Sequence, residues 1–106
     1  MKQLILTIAL LLISSSSTAG HKVHGNKSCG IYIEQYDARG VNKAINTMWL
    51  KGYLTGRNYA DDGQRGKDFD DDSMSLWVYN YCKENPLENT SAAAKGLTAK
   101  LEKSGQ

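Results

Sequence analysis

Cys29 and Cys82, the only two cysteines in the chain, constrain its fold more than any other feature. Their weight comes from the segment that precedes them. The chain opens in the order of a secretory signal: a positive Lys2, an apolar run from Leu4 to Ile13, then small residues ending in Ser17-Thr18-Ala19. Cleavage is expected after Ala19, so residues 1–19 are a signal peptide and the product starts at Gly20. The apolar run is about half the roughly twenty residues needed to cross a bilayer, and no membrane association is expected after cleavage. Cys29 lies too far downstream to be the first residue of a lipid-anchored product. In an oxidising compartment two cysteines are expected to pair with each other. Closing a loop of this length stabilises by about 4 kcal/mol in the chain-entropy model. For a domain no larger than residues 20–106, which buries a modest share of its surface, that contribution decides folding.

Residues 20–28, Gly-His-Lys-Val-His-Gly-Asn-Lys-Ser, are polar and contain two glycines, and they are expected to form a flexible tail. The domain proper is expected over 29–103. Cys29, Tyr32, Ile33 and Tyr36 share one helical face, with Ser28 placed to cap it and Gly40 to stop it. The run Ile31-Tyr32-Ile33 also suits a strand. A second helix carries the stripe Val41, Ile45, Met48, Trp49, Gly52, Tyr53 and Gly56, which is expected to face the core. Glycine inside a helix is less favourable than alanine by up to about 1 kcal/mol, so Gly52 and Gly56 call for an explanation. Either another backbone approaches that face, or Gly56 ends the helix. Residues 57–72 read as a polar, aspartate-rich loop. Met74, Trp77, Val78, Tyr81 and Cys82 then mark a third helix, with an N-cap from Asp70, Asp71 or Asp72 and a stop at Asn85-Pro86. The last helix starts near Asn89 or Thr90 and buries Ala94, Leu97 and Leu101, with Leu87 just upstream. The fold class is therefore all-α: a small four-helix domain stapled by one disulfide, in which Cys29 ties the start of the first helix to the end of the third.

The chemistry points away from catalysis. Of thirteen Lys and Arg, Lys2 leaves with the signal, so the product is almost balanced against its eleven Asp and Glu. Its basic residues are scattered singly, without the patch of a nucleic-acid binder. Both histidines, His21 and His24, fall in the expected tail, and paired cysteines supply no thiolate, so a histidine- or cysteine-based hydrolase is not expected. Carboxylate pairs run glycoside hydrolysis, and a small carboxylate-dependent hydrolase is the remaining enzymatic alternative. The segment from Asp61 to Asp72 matches a calcium loop at Asp61, Gly66 and Asp72. It places Gly63 and Arg65 where oxygen ligands are required, so a solvated acidic turn is expected. Gly66-Lys67 is followed by Asp68 where a phosphate-binding loop needs Ser or Thr. His21 and His24 lack a third ligand at a metal-binding spacing, and no metal or other cofactor is expected. Asn26-Lys27-Ser28 and Asn89-Thr90-Ser91 fit the glycosylation acceptor pattern, which matters only in a eukaryotic host. Tyr59 and Tyr79 fall outside the apolar stripes and, with Asp61 and Asp62 in the acidic segment, are the candidates for a partner-binding surface.

Three motifs together carry a resemblance. They are a cysteine opening the first helix, the segment Trp49-Leu50-Lys51-Gly52-Tyr53-Leu54-Thr55-Gly56, and Trp77-Val78-Tyr79-Asn80-Tyr81-Cys82-Lys83-Glu84-Asn85-Pro86-Leu87 before an alanine-rich final helix. Over Cys29 to Leu101 the chain resembles the small bacterial periplasmic proteins around the HdeA acid-stress chaperones. At this level it is also similar to the Rap/Tai immunity proteins of type VI secretion systems. The resemblance implies a Cys29–Cys82 disulfide, a periplasmic or secreted location and a non-catalytic binding role. In the chaperone branch it implies that protonated carboxylates loosen a homodimer and expose apolar surface to unfolding clients. In the immunity branch it implies a cognate toxin as partner, with the loop from Arg57 to Asp72 as a binding surface.

Overall fold

A computed structural model describes residues 22–105. The expected signal peptide and His21 lie outside the described residues. Four helices follow one another: α1 (Cys29–Ala38), α2 (Val41–Asp61), α3 (Asp71–Glu84) and α4 (Thr90–Ser104). Among the described residues the only β-type pairing is a single antiparallel bridge between Ser28 and Asn89, so the domain is all-α. Cys29 and Cys82 form a disulfide, with Cα atoms 4.9 Å apart and no exposed surface on either residue.

Helix starts follow side-chain caps. Ser28 accepts from the Ile31 N–H, Asp70 from the Ser73 N–H and Asn89 from the Ala92 N–H, each satisfying a donor that the first helical turn leaves without a partner. The Ser28 cap settles the helix-or-strand alternative at Ile31-Tyr32-Ile33 in favour of helix. Asp71 and Asp72 sit in the first turn of α3, where the helix dipole favours negative charge. α2 does not end at Gly56. It continues to Asp61 and closes with Asp62 in the left-handed region at φ 55°, so the expected loop over 57–72 shrinks to residues 62–70. One glycine is a local penalty that helix cooperativity absorbs when Arg57, Asn58 and Ala60 continue the run.

The core comprises Tyr32 from α1, Leu50 and Leu54 from α2, Met74 and Val78 from α3, and Ala93, Ala94, Leu97 and Leu101 from α4, around the disulfide. The stripes expected for α3 and α4 point inward as read, with Trp77 and Tyr81 half-buried. Leu87 does not join them and is fully exposed in the turn after Pro86. Buried polar groups are paired: the Tyr32 hydroxyl donates to the Ser75 carbonyl at 2.8 Å, and the Ser75 and Thr47 hydroxyls bond each other at 2.7 Å.

Within the segment expected as a flexible tail, residues 24–28 lie against α2 and α4 through hydrogen bonds. The Lys27 N–H donates to Thr90 Oγ1, the Thr90 N–H donates back to the Lys27 carbonyl, and the Cys29 N–H donates to the Glu88 carbonyl. Asn26 Oδ1 accepts from the Ser91 N–H and the Thr90 hydroxyl. Trp49 Nε1 donates to the His24 carbonyl at 2.6 Å, and its indole lies where a Cβ on Gly25 would have to sit, at a residue whose φ of +79° already favours glycine. Backbone and polar side chains hold this segment across α2 and α4, which an apolar count does not register.

Candidate interaction surface

The stripe expected to bury α2 is divided by the structure. Trp49 and Tyr53 pack against the core, but Val41 is 72% exposed, Met48 71% and Ile45 49%. The buried line on α2 is Asn46, Leu50 and Leu54. Asn46 hid this line from an apolar reading. Its Nδ2 donates to Gln35 Oε1 and its Oδ1 accepts from Lys27 Nζ, so a carboxamide fills a core-facing position with its hydrogen bonds met. α2 has two faces of helical period, and the one with the polar residue points inward.

The opposite face carries no charge. At about 100° per residue, Val41, Gly52 and Tyr59 fall close to one line along α2, and Ile45, Met48, Thr55 and Gly56 lie within about 60° of it. Lys43, Lys51, Arg57 and Asp61 all stand at least about 80° away. Three of these charges are used elsewhere: Lys43 sits over the Tyr36 ring, Lys51 bonds Asp71, and Asp61 bonds Arg65. The solvent side of a surface helix is ordinarily its charged side, so an apolar and small outward face of this length departs from the pattern and is a candidate interaction surface. The two glycines strengthen the point. A Cβ built on Gly52 or on Gly56 meets nothing within 4 Å, so among the described residues no backbone outside α2 approaches either one.

Tyr59, 87% exposed, stands at the C-terminal end of this face. It lines a shallow open cavity of about 280 Å³ with Thr55, Asn58, Asp62 and Gly63. Asp61 is turned to a different task. The Arg65 guanidinium bonds both of its carboxylate oxygens and also Glu102 on α4, while the Asn58 carboxamide brackets the Arg65 backbone with two bonds of 3.0 Å. Arg65 thereby ties the 62–70 loop to the ends of α2 and α4. Its guanidinium holds the Asp61 carboxyl below the usual carboxylate range, which suits a permanent ion pair better than a proton donor. Asp70 is also held low, by the Ser73 N–H that it caps. Among the described residues no three His, Cys, Asp or Glu side chains are grouped to hold a metal ion.

Tyr79 lies apart from Tyr59, Asp61 and Asp62. Its ring stacks on Tyr36 with centroids 4.3 Å apart, its hydroxyl donates to Asp37, and Lys83 lies over its outer side. It joins α3 to α1. Of the four residues singled out for partner binding, the structure groups Tyr59 with Asp62, gives Asp61 to Arg65 and packs Tyr79 against α1. The sequence reading missed the outward orientation of Val41, Ile45 and Met48. A detectable signal was present: every charge on α2 avoids their face. Comparison of the chain with protein-family models, with curated proteins and with solved structures finds no match.

Proposed function

We propose that this chain is an exported, non-catalytic binding domain of the periplasm, in the manner of an acid-stress chaperone, and that it holds apolar segments of unfolding proteins on the outward face of α2. One observation carries the reading: Val41, Ile45, Met48, Gly52, Thr55, Gly56 and Tyr59 make a charge-free strip on the solvent side of a 21-residue helix. A partner recognised once and specifically is selected by charge complementarity that fixes register and rejects competitors. A strip without charge lacks that means of selection and suits apolar segments of varied sequence. The secretory pattern of the N-terminus and the disulfide support a location outside the cytoplasm.

The test is aggregation of an acid-denatured client at about pH 2.5 and again at neutral pH, with the protein at stoichiometric amounts. Wild type is expected to suppress light scattering, and Met48→Glu or Ile45→Glu, on exposed positions, to lose suppression at neutral pH while keeping the helical spectrum. Absence of suppression by wild type under both conditions removes the chaperone reading. A second reading, a type VI immunity protein that inhibits a toxin, is favoured by the exposed Tyr59 beside the Asp62 cavity, an aromatic anchor next to a polar rim. It expects tight neutral-pH binding to a toxin encoded beside this gene, weakened at least tenfold by Tyr59→Ala.

A further inference from the structure

Cleavage after Ala19 leaves a product that begins Gly20-His21-Lys22-Val23-His24. Side chains alone give this segment two metal ligands, His21 and His24, which is too few for a diagnostic site. The main chain supplies the others. When the second residue of a chain is histidine, three nitrogens close on one ion in two small fused rings. The first ring joins the terminal amine to the His21 amide nitrogen through the Gly20 Cα and carbonyl carbon. The second joins that amide nitrogen to His21 Nδ1 through the histidine's own Cα, Cβ and Cγ. Covalent order fixes both rings, so this chelate needs no fold to assemble it.

We propose that the exported product binds one Cu(II) at its amino terminus, through the Gly20 amine, the His21 amide nitrogen and the His21 imidazole, with the His24 imidazole as fourth ligand. The inference rests on the export half of the reading above, since an uncleaved chain has no amine at Gly20. The donor set selects the metal. Three nitrogens held in one plane suit the tetragonal geometry of Cu(II), which also stands highest in affinity among the divalent first-row ions. Binding releases the amide proton to solvent, a displacement that Cu(II) achieves at neutral pH. Zn(II) does not, and it favours a tetrahedral set.

The folded domain contributes the fourth ligand. Trp49 Nε1 holds the His24 carbonyl at 2.6 Å, and Asn26 and Lys27 tie the next residues to α4. The His24 backbone is thereby fixed, while its imidazole is exposed and, among the described residues, has no hydrogen-bond or ion-pair partner. Three residue steps separate His21 from His24, a Cα separation of at most about 11 Å, which two imidazoles bridge through one ion. Lys27, the nearer cation along the anchored stretch, is turned inward to Gln35 Oε1 and Asn46 Oδ1 and does not oppose a cation at His24. The same anchor provides a reporter: Cu(II) held by His24 lies close to the Trp49 indole and quenches its emission.

The test uses the exported, disulfide-intact protein, with intact mass to identify its first residue and Cu(II) chloride titrated in a non-coordinating buffer. Electron paramagnetic resonance is expected to show one tetragonal Cu(II) with nitrogen splitting, and tryptophan emission to fall until one equivalent and then level. His21→Ala, and separately an extension of several serines ahead of Gly20, are each expected to weaken binding by about tenfold or more. His24→Ala is expected to retain the ion but to change its spectrum and lose most of the quenching. Trp49→Phe is expected to remove most of the quenching with the stoichiometry unchanged. Binding that is unaltered by His21→Ala or by the serine extension overturns the site, as does a Gly20 product that takes up no copper. A His24→Ala variant with the wild-type spectrum and quenching overturns the assignment of the fourth ligand. A product cleaved at another residue sinks the copper site and leaves an exported binding domain standing, whereas a retained signal segment sinks both. Absence of client suppression by a protein that binds copper as described removes the chaperone reading alone.

Discussion

Reduction of the Cys29–Cys82 bond tests the energetic basis of this fold. The cysteines are 53 residues apart, one opening α1 and the other in the last turns of α3. In the chain-entropy model, removing a crosslink that closes a loop of that length returns about 4 kcal/mol of freedom to the unfolded chain. For a domain of this size about 1 kcal/mol moves the melting temperature by about 5 °C, so reduction is expected to lower it by about 20 °C. Both sulfurs are buried, so the reductant acts only when the domain opens, and reduction rates are expected to follow unfolding rates. Two measurements separate entropy from packing. Reduced wild type keeps its sulfur atoms and reports mainly the crosslink, whereas a Cys29→Ala, Cys82→Ala double variant adds the loss of packed volume. Calorimetry of oxidised protein, reduced protein and the double variant is the assay. A reduced protein melting within about 5 °C of the oxidised form would refute the reasoning, and would assign the α1–α3 connection to the Tyr32 hydroxyl bond to the Ser75 carbonyl and the packing of Tyr32.

Three further outcomes are expected. Burial pushes the Tyr32 phenol up to about 12, so its contribution is complete below the unfolded value near 10 and is lost as pH rises through the folded one. That is roughly 2 to 3 kcal/mol between these limits, which urea titrations at pH 9 and 11.5 would detect and Tyr32→Phe would abolish. Asp61 moves in the other sense: its folded value is lowered by Arg65, so the clamp is in force above the unfolded carboxyl range near pH 4 and is lost as pH falls below it. The hydrogen-exchange protection factors of the 62–70 loop, taken against the intrinsic rate at each pH, should fall on acidification, and Arg65→Ala should bring that loss of protection to neutral pH; a loop equally protected in the variant would deny Arg65 its role. Trp49→Phe removes the indole N–H that holds the His24 carbonyl, and should destabilise by about 1 kcal/mol and make residues 22–26 the first site of proteolytic cleavage. Unchanged proteolysis would show that the Lys27–Thr90 pair suffices.

Local chemistry made most of the fold legible in the sequence. Ser28, Asp70 and Asn89 carry the oxygen a helix start requires, Pro86 excludes continued helix, and the α3 and α4 stripes have one apolar side each. Two cysteines behind a secretory pattern allow only one intramolecular bridge. Tertiary structure decided what has two local solutions or none. α2 has two faces of equal period, and which one turns inward depends on Gln35 and Lys27, brought from other segments to satisfy Asn46. Residues 24–28 have no apolar pattern, and their hydrogen bonds come from Thr90, Ser91 and Trp49, remote in sequence and adjacent only after folding. Tyr79 reads as free until α1 places Tyr36 and Asp37 beside it. Periodicity records that a helix has an apolar side, but the side that is buried follows from long-range partners, and the uncharged side left over on α2 becomes the candidate surface only once the core is seen.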